Sequence, residues 1–569
     1  MASTSRKRLS VPEEEIEEEL LLEYDSEVSE STESDSDEVI EDRSELDLIK
    51  EYSDHSEEEP EDSFFWEDMK NYEGEREKFV GGSGPQGKAS LVTDILDAFE
   101  LFFDEEFVGT IVRETNRYAD QYMTVCGPSL SKKSRIFSWK IVSVDEIYTV
   151  LGLFMLMGII QKPSLRSYFS TKRVLSTPGF GDVITRDRFE IICKFLHFTN
   201  NEDTLSYSGP PKLKKVFPVI SHLNKTFKEY YLPNRNISID ESLTLWKGRL
   251  SFKQYLPLKS SKFGIKTYEL CDATNGYLWS FLIYTGRDTV FRSPICTANS
   301  SKTAAIVLNL VFPLLNQGRT LWMDNFYNSP DLAKLLKVSY GTDCVGTLRI
   351  NRKNVPQKLK DKQLKKGEVV GQHCGPVSVV KWKDKKVITM ISTFHGIETK
   401  TIVRRGKELI KPISITDYNQ YMGGVDLKDQ LLQTYLIERK RLNKWYMKLF
   451  RRLLNSAVLN ALIIYRENVN KNVDHFTFRV QLVEKLFQKY AKMVARVPGR
   501  HSSDSLVPRL TERHFIRRIP PSGKKQHPQR RCVVCAKHSR RRDTVYWCEN
   551  CNVGLCFDCF EIYHTKQNY

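Results

Sequence analysis

Four aspartates in apolar or glycine-bearing settings are the residues of this chain best suited to chemistry. Asp272 ends the run Tyr-Glu-Leu-Cys, and Asp324 ends the run Leu-Trp-Met. Both settings predict an acid at or near a strand end, where a central sheet meets solvent. Asp426 and Asp429 follow a Gly-Gly pair and are three residues apart, so a helix would present both on one face.

Acids delivered to one point by such elements predict a Mg²⁺ site, because Mg²⁺ prefers hard oxygen ligands. Two ions of this kind activate an attacking oxygen and stabilise the leaving oxygen in phosphodiester chemistry. A single aspartate in such a setting is more often a turn or cap residue. Four of them in a basic chain favour the metal site over that alternative.

A second group of potential metal ligands lies near the C-terminus. Six of the twelve cysteines form three Cys-x2-Cys pairs: Cys532 with Cys535, Cys548 with Cys551, and Cys556 with Cys559. This spacing predicts zinc, because each pair can chelate one tetrahedral ion. The spacing also resembles that of RING and PHD modules. Zinc alone is enough to fold a domain too small to hold itself together.

Two zinc ions need eight ligands, and seven are evident once His564 is counted with the cysteines. In a cross-braced arrangement the first and third cysteine pairs share one ion. The second pair then joins His564 and one more group, for which His538 is the candidate.

Further short motifs follow one another in a fixed order through the chain. They include Ser238-Ile-Asp240-Glu, Trp246-Lys-Gly-Arg249, Lys262-Phe-Gly-Ile-Lys266, Met323-Asp324-Asn325-Phe326-Tyr327, Gly346-Thr-Leu-Arg349 and Tyr421-Met-Gly-Gly-Val-Asp426. In these motifs the chain resembles piggyBac-type transposases, which are DDD transposases with an RNase H-like catalytic core. The resemblance runs from near residue 90 to the C-terminus, although this chain has Gln567 where the family's cysteine-rich domain carries further ligands.

The resemblance assigns roles to the acids. It implies that Asp272, Asp324 and Asp426 are the metal-binding catalytic triad, with two Mg²⁺ ions for which Mn²⁺ can substitute. It implies that Asp429 is a further acid near the active site. It also implies that the zinc module docks transposon-end DNA.

Basic and aromatic residues near these acids predict contacts to DNA. Bases fix the register of DNA through its phosphates, and an aromatic ring can stack on an exposed base. The candidates are Lys247, Arg249, Lys262, Arg349, Arg352, Lys444 and Trp445. By the resemblance, the Arg349 segment serves integration and Trp445 braces an unstacked base. Each of these residues alone is more often part of a solvated surface.

Charge is strongly segregated along the 569 residues. Residues 1–62 contain 25 acids and five bases, a net charge of −20, whereas the whole chain carries +14. Residues 63–569 therefore carry a net charge of +34. A body this basic predicts a polyanionic partner, usually nucleic acid, and a merely solvated basic surface is the alternative.

The sequence also carries signals of compartment. The charged and then acidic start is unlike a secretory signal. The longest apolar run, Ile147 to Ile160, is too short to span a bilayer, so we predict a buried helix and no membrane partner. The clusters Lys524-Lys525 and Arg530-Arg531 are typical of a nuclear localisation signal, so we expect a nuclear protein.

The fold that these observations predict is α+β and multidomain. An RNase H-like core is interrupted by a small all-β insertion and accompanied by a helical domain and a cross-braced zinc module. The predicted segments are a disordered acidic tail (1–88), a helical dimerisation and DNA-binding domain in two parts (89–266 and 437–496), the core in two parts (267–349 and 412–436), the insertion (350–411), a basic linker (497–530) and the zinc domain (531–569).

The resemblance implies a homodimeric cut-and-paste transposase acting on double-stranded DNA. Water nicks the transposon end, the freed 3′-hydroxyl forms a hairpin, a second hydrolysis opens it, and the 3′ ends join a TTAA target. A domesticated DNA-binding or chromatin protein without catalysis is the main alternative, and a zinc-dependent ubiquitin ligase is a third. Because Asp272, Asp324 and Asp426 are all present, the transposase is favoured.

Overall fold

The chain divides into two compact units, Met1–Val494 and Ala495–Tyr569. The computed structural model describes residues 64–131, 134–202, 207–257, 262–287, 289–291, 293–296, 301–404, 407–439, 442–469, 472–492, 494, 513–521 and 525–566.

Helices dominate both ends of the first unit. They are α1 (Ile95–Glu100), α2 (Glu105–Cys126), α3 (Val144–Ile159), α4 (Pro178–Gly181), α5 (Arg186–Phe195), α6 (Phe217–Glu229), α7 (Lys302–Val311), α8 (Pro330–Lys334), α9 (Gln357–Asp361), α10 (Ile413–Tyr421), α11 (Gly424–Thr434), α12 (Trp445–Asn468) and α13 (His475–Tyr490). The second unit contains α14 (Val533–Lys537) and α15 (Phe557–Thr565).

The strands of the first unit are β1 (Glu67–Asp68), β2 (Gly84–Pro85), β3 (Tyr231–Leu232), β4 (Asn236–Leu245), β5 (Gln254–Tyr255), β6 (Phe263–Asp272), β7 (Leu278–Ile283), β8 (Thr320–Met323), β9 (Asp343–Thr347), β10 (Val369–Cys374), β11 (Val377–Lys383), β12 (Val387–Ser392), β13 (Thr399–Arg404) and β14 (Lys407–Pro412). The second unit contains β15 (Ile516–Arg518), β16 (Arg530–Arg531), β17 (Asp543–Thr544), β18 (Tyr546–Cys548) and β19 (Val553–Gly554).

One large mixed sheet forms the centre of the first unit. From one edge inward, β7, β6 and β4 are each antiparallel to the next, and β8 and β9 then run parallel to β4. The sequence of β4 alternates between apolar residues such as Ile237 and Ile239 and polar residues such as Ser238 and Asp240. Because successive side chains of a strand point to opposite faces, one face of β4 is apolar and the other polar.

Helices pack against this sheet and against one another in a continuous core. The 16-residue helix α3 begins with a capping box between Ser143 and Glu146, and most of its residues are buried. Helix α12 is buried along residues 446–464. A helix surrounded by other helices and a sheet is expected to be apolar on most sides, which is why the run from Ile147 is so hydrophobic. Within the described ranges, no helix has both the length and the apolar character needed to cross a membrane.

The predicted insertion at residues 350–411 does not form a separate sheet. Strand β12 pairs with β9, and β11 and β10 follow, so three of its strands extend the central sheet. Strands β13 and β14 form a hairpin of their own. The sequence identified strands in this segment, but their partners are remote in sequence and strand patterns alone do not specify partners.

Residues 64–88, which we assigned to a disordered tail, pack on the body of the first unit. Strand β1 pairs with β10. The Arg76 guanidinium donates to Asn236 Oδ1 at 2.9 Å, and the amide of Glu77 donates to Asp343 Oδ2 at 2.8 Å. The aromatic and apolar residues of this stretch therefore distinguish it from the more acidic residues 1–63, which lie outside the described residues.

The second unit is built around its cysteines. Strands β15, β18 and β19 form one small sheet and β16 pairs with β17. Two of these strands, β15 and β16, contain residues that we assigned to the basic linker. That part of the predicted linker is therefore folded into the unit, whereas residues 497–512 and Lys524 lie outside the described residues.

Candidate metal and nucleic-acid site

Two aspartates lie side by side on neighbouring parallel strands. Ile239 of β4 is paired with Met323 of β8. Asp240 is the next residue of β4, and Asp324 directly follows the end of β8, so the two residues lie close together. Both side chains are half-buried. The sheet thus brings Asp324 together with Asp240, a residue that we quoted as part of a motif but did not assign to the site.

Helix α11 lies over the same polar face of β4. A Cβ atom on Gly424 would lie 2.4 Å from Ser238 Oγ, so only glycine allows the helix to approach so closely. One and a half turns later, Asp429 accepts a hydrogen bond from Ser242 Oγ at 2.9 Å. Asp426 lies between these two contacts, in the first turn of α11, and is exposed. The two contacts fix the first turn of α11 on this face, and the positive end of the helix dipole favours the charge of Asp426.

The Tyr418 hydroxyl lies within electrostatic range of three of these carboxylates. Burial raises the pKa of the Tyr418 hydroxyl. The carboxylates of Asp324, Asp240 and Asp426 each raise this pKa further, so all three lie within electrostatic range of one side chain. Among the described residues, sets of ligand atoms within 4.8 Å of one another occur only in the second unit. The carboxylate oxygens of the three aspartates therefore do not all lie within 4.8 Å of one another.

Asp272 is not part of this group, and our assignment of it is corrected here. It is paired with Ile237, three residues before Asp240 on β4 and on the opposite, apolar face. The residue is 0% exposed. Its Oδ2 accepts from the Asn234 amide at 2.6 Å, and its Oδ1 accepts from the Thr274 amide at 2.8 Å. Asp272 therefore closes a turn, which is the role that a lone aspartate at a strand end most often has.

Asp429 faces a buried ionic network instead of the open site. Lys428 Nζ lies 2.7 Å from Asp429 Oδ1, and Arg452 also donates to that oxygen. Burial raises the pKa of Asp429, but the positive charges of Lys428 and Arg452 have the larger combined effect and lower the pKa to about 2. Lys428 also pairs with Glu269 of β6. The network ties α11 to the sheet and to α12, so Asp429 positions the helix that carries Asp426.

We expect the pair of Lys428 and Glu269 to be essential to folding but replaceable as a unit. The Lys428 side chain is 0% exposed and that of Glu269 is 6% exposed. Lys428→Met alone leaves a buried carboxylate without its partner and should lower the free energy of unfolding by about 3–5 kcal/mol. The double variant Lys428→Met/Glu269→Leu should recover most of that loss. Urea unfolding of the full chain measures both, and a double variant no more stable than the single one contradicts this account.

Asp324 has an unusual titration for a carboxylic acid. Burial raises its pKa to about 6, and the nearby Glu241 carboxylate contributes in the same direction. The Phe326 amide, which donates to Asp324 Oδ1 at 2.9 Å, and the positive charges of Arg349 and Lys266 act in the opposite direction. Without a bound cation, Asp324 therefore holds a proton more readily than an exposed aspartate does.

A pH dependence of metal affinity follows from this shift. Because a cation must displace the Asp324 proton below the raised pKa of about 6, Mn²⁺ affinity should be nearly constant at neutral pH and fall as the pH drops through 6. One displaced proton corresponds to about a tenfold loss of affinity per pH unit. Electron paramagnetic resonance of free Mn²⁺ measures the affinity over a range of about 3 pH units, from pH 5 to pH 8. Constant affinity down to pH 5 contradicts the shift.

The predicted DNA-contacting arginines lie beside Asp324. Arg349 Nε donates to Asn325 Oδ1 at 3.1 Å, and Arg352 donates to the carbonyl of Phe326. Both arginines therefore flank the loop that follows Asp324. This placement suits contacts to a phosphate backbone that enters the site.

The other predicted DNA contacts have different settings. Lys247, Arg249 and Lys262 are exposed. Lys444 donates to the carbonyl of Lys194 at 2.9 Å. Trp445 is half-buried, with its ring edge-to-face against Phe252 at 5.3 Å between centroids. A role for these five residues in binding DNA stays a prediction.

The second unit contains two groups of metal-ligand atoms. One consists of Cys532, Cys535, Cys556 and Cys559, and the other of His514, Cys548, Cys551 and His564. The first and third cysteine pairs thus share one site and the second pair contributes to the other, as a cross-brace requires. Four thiolates, or two thiolates and two imidazoles, form the tetrahedral donor sets that zinc prefers.

The eighth ligand is His514 and not His538, which is exposed. His514 Nδ1 lies 3.4 Å from Cys548 Sγ and 3.5 Å from Cys551 Sγ. The pairing of β15 with β18 brings His514 there, although it is 34 residues from Cys548 in sequence. His564 donates from Nδ1 to the Phe560 carbonyl at 2.8 Å, which leaves Nε2 for the metal.

Sequence reasoning missed His514 and Asp240 for different reasons. The residues around His514 do not indicate a metal ligand, because only the pairing of β15 with β18 brings His514 next to the cysteines. Asp240 does carry a local signal, because it lies at the centre of the alternating polar face of β4.

Comparison with known proteins identifies the family of this chain. A family profile described as Transposase IS4 matches residues 95–462. The human PiggyBac transposable element-derived protein 3 is 27% identical over 489 residues, which cover 83% of this chain and 76% of that protein. The human PiggyBac transposable element-derived protein 2 is 28% identical over 386 residues, which cover 65% of this chain and 61% of that protein.

A solved structure shares the fold. It is a cryo-EM structure of a piggyBac transposase synaptic complex with hairpin DNA, 24% identical in sequence, with a TM-score of 0.65. The likeness covers 84% of this chain and 100% of that one. Since the profile also matches well over half of the residues, this chain belongs to the piggyBac-type transposase family.

Proposed function

We propose that this protein is a DNA transposase whose active site consists of Asp240, Asp324 and Asp426. The observation that carries the proposal is the register that brings Asp240 and the end of β8 together, with the helix of Asp426 packed on the same polar face of β4. Asp240 and Asp324 come from adjacent parallel strands, and Asp426 comes from the helix packed on that face. The proposal replaces the triad that the sequence suggested, because Asp240 takes the position assigned to Asp272.

The strand order supports an RNase H-like core. Three antiparallel strands (β7, β6, β4) followed by two parallel strands (β8, β9) are the arrangement that such a core uses, with an acid on the first strand and another after the fourth. By chain order the first strand of this core is β4, which contains Asp240. The core therefore begins near residue 236 and not at residue 267.

The donor set fits hard divalent cations. Three carboxylates in a partly exposed setting suit Mg²⁺ or Mn²⁺. A pair of such ions supplies activation of the attacking oxygen and stabilisation of the leaving oxygen. Asp240 and Asp324 would hold the cations from the rigid sheet. Asp426 would complete the set from α11, whose position Gly424 and the network around Lys428 determine. Arg349 and Arg352 would hold the DNA backbone beside the loop after Asp324.

The partners and products follow from the family. The net charge of +34 on residues 63–569 supports binding to double-stranded DNA. A homodimer, recognition of terminal repeats, hairpin intermediates, insertion at TTAA and a nuclear location are proposed by analogy with piggyBac-type transposases. The two Cys/His groups of the second unit would bind two zinc ions and present that unit to transposon-end DNA.

A cleavage assay tests the proposal. The full chain is incubated with Mg²⁺ or Mn²⁺ and a duplex carrying the terminal repeat of the element, and nicked and hairpin products are resolved on a denaturing gel. We expect divalent-dependent nicking by the wild type and none by Asp240→Asn.

A second candidate is a catalytically silent DNA-binding protein, which is favoured by the descriptions of the human relatives as transposable element-derived. Tight DNA binding without any nicking would support that candidate.

A further inference from the structure

The segment after β9 collects positive charge on the surface of the first unit. Residues 349–366 contain eight bases and one acid, a net charge of +7. The apolar side chains of Val355, Leu359 and Leu364 in this segment are buried. Five of its lysines are exposed: Lys353, Lys358, Lys362, Lys365 and Lys366. We refer to the eight bases of this segment as the basic surface.

Contacts to the rest of the first unit fix the backbone of this segment. Lys381 of β11 is buried, and its ammonium donates to the carbonyls of Leu359 and Lys362, each at 2.7 Å. Nearer β9, Arg352 donates to the carbonyl of Phe326 in the loop after β8. Because the backbone is already held in place, a polyanion that binds the basic surface orders only side chains.

The first described residues of the chain lie against the same segment. Trp66 Nε1 donates to the carbonyl of Asn354 at 3.0 Å, and Lys358 Nζ lies 2.7 Å from Asp68 Oδ1. The ring of Phe64 stacks on that of Trp66, at 5.8 Å between centroids. The acidic segment that precedes Phe64 therefore joins the fold beside the basic surface.

Charge and connectivity favour this acidic segment as a partner of the basic surface. Residues 1–62 carry a net charge of −20. Attraction between two exposed charges is weak and is screened over about 10 Å at ordinary salt concentrations. A covalent connection compensates for this weakness, because it holds the partner at an effective concentration on the order of millimolar. Many weak pairs can then form at once without any loss of translational freedom.

We propose that residues 1–62 bind the basic surface of the same chain and compete there with DNA. The competition rests on the proposed function, since Arg349 and Arg352 belong both to the basic surface and to the proposed contacts with the DNA backbone. Duplex DNA carries one negative charge per about 1.7 Å of its axis, so a tightly bound duplex displaces the acidic segment. Weakly bound duplex does not, and the acidic segment then keeps it from the site.

Zero-length crosslinking locates the contact. A carbodiimide joins a carboxylate to a lysine amine only where the two groups meet, and mass spectrometry of the full-length protein identifies the joined peptides. We expect crosslinks from the acids of residues 1–62 to the exposed lysines of the basic surface, and their loss when terminal-repeat duplex is added in excess. Asp68 and Lys358, 2.7 Å apart, provide an internal positive control. Three exposed lysines elsewhere in the first unit should not form crosslinks with residues 1–62: Lys88, Lys172 and Lys225.

Neutralising the acidic segment should tighten DNA binding. A full-length variant in which twenty of the 25 acids of residues 1–62 are replaced by their amides has no net charge in that segment. Fluorescence anisotropy in EDTA compares its affinity for a labelled terminal-repeat duplex with that of the wild type. The neutralised variant should bind about tenfold more tightly at low salt, and this gain should shrink as salt screens the contact.

Two triple variants decide whether the basic surface is the target of the acids. Lys353→Gln/Lys365→Gln/Lys366→Gln removes three of its charges, so neutralising residues 1–62 in this background should gain less than about threefold. A matched variant removes three exposed lysines elsewhere and should keep the full gain: Lys88→Gln/Lys172→Gln/Lys225→Gln. Because all six lysines are exposed, neither variant should change the melting temperature.

The outcomes separate this inference from the proposed function. If residues 1–62 form no crosslink to the basic surface while Asp68 is joined to Lys358, the inference is overturned. Equal gains in the two triple variants also overturn it, because the acids would then repel DNA without a defined contact. A wild type that binds DNA but never nicks overturns the proposed catalysis and leaves these measurements unaffected. A wild type that binds no duplex at all overturns both the competition and the proposed function.

Discussion

Asp240→Asn should abolish divalent-dependent DNA cleavage while leaving the protein folded. Asp240 is half-buried and faces Asp324 and the helix of Asp426, so the substitution removes a charged ligand without opening a cavity. Metal ions contribute several kcal/mol of transition-state stabilisation, and loss of one ligand should lower the nicking rate by about 10³-fold or more. Initial rates on terminal-repeat DNA, with circular dichroism to monitor folding, measure the effect.

Asp272→Asn is the matched control, because it changes the aspartate that the sequence had favoured. The Asp272 carboxylate is fully buried and accepts hydrogen bonds from Asn234 and Thr274. In asparagine, one of the two accepting oxygens is replaced by an NH₂ group, which would then face the N–H donors that the oxygen had bound. This mismatch should lower the free energy of unfolding by about 1–3 kcal/mol. Activity per folded molecule should stay within a few-fold of the wild type. Loss of cleavage in Asp272→Asn, together with normal cleavage in Asp240→Asn, would restore the original triad and overturn ours.

His514→Ala should remove one of two zinc ions from the second unit. His514 supplies the fourth ligand to the group of Cys548, Cys551 and His564. Structural zinc contributes about 10–16 kcal/mol of binding free energy, most of which is folding free energy in a unit this small. The variant should therefore retain one zinc ion per chain and lose the pairing of β15 with β18. Inductively coupled plasma mass spectrometry of purified full-length protein gives the stoichiometry.

His538→Ala provides the control for the zinc prediction. His538 follows α14, is exposed, and belongs to neither ligand group. The variant should keep two zinc ions and the stability of the wild type. If His538→Ala lost an ion and His514→Ala did not, the ligand set that the structure indicates would be wrong.

Local patterns allowed much of the helical and strand structure to be predicted from the sequence. The apolar spacing before Ile160 predicts α3, and the β-rich run ending at Met323 predicts β8. The six cysteines and His564 needed no long-range information, since Cys-x2-Cys spacing alone indicates zinc. Asp324 and Asp426 were likewise proposed as site residues from their immediate sequence surroundings, and that role stays a prediction.

What the sequence could not supply was the pairing of distant segments. The predicted core began at residue 267, so β4 and its Asp240 were left in the helical domain. The parallel pairing of β4 with β8 spans about eighty residues, and it alone makes Asp240 the neighbour of Asp324. In the same way, β15 brings His514 to Cys548 from outside the predicted zinc domain. Both corrections concern residues whose role depends on a partner strand.

Anomalous diffraction from crystals of the full chain soaked in Mn²⁺ locates the cation site. We expect anomalous density coordinated by the carboxylates of Asp240 and Asp324, with Asp426 facing it from the first turn of α11. Density coordinated by Asp272, or strong density elsewhere with Asp240 left without a cation, would contradict this assignment.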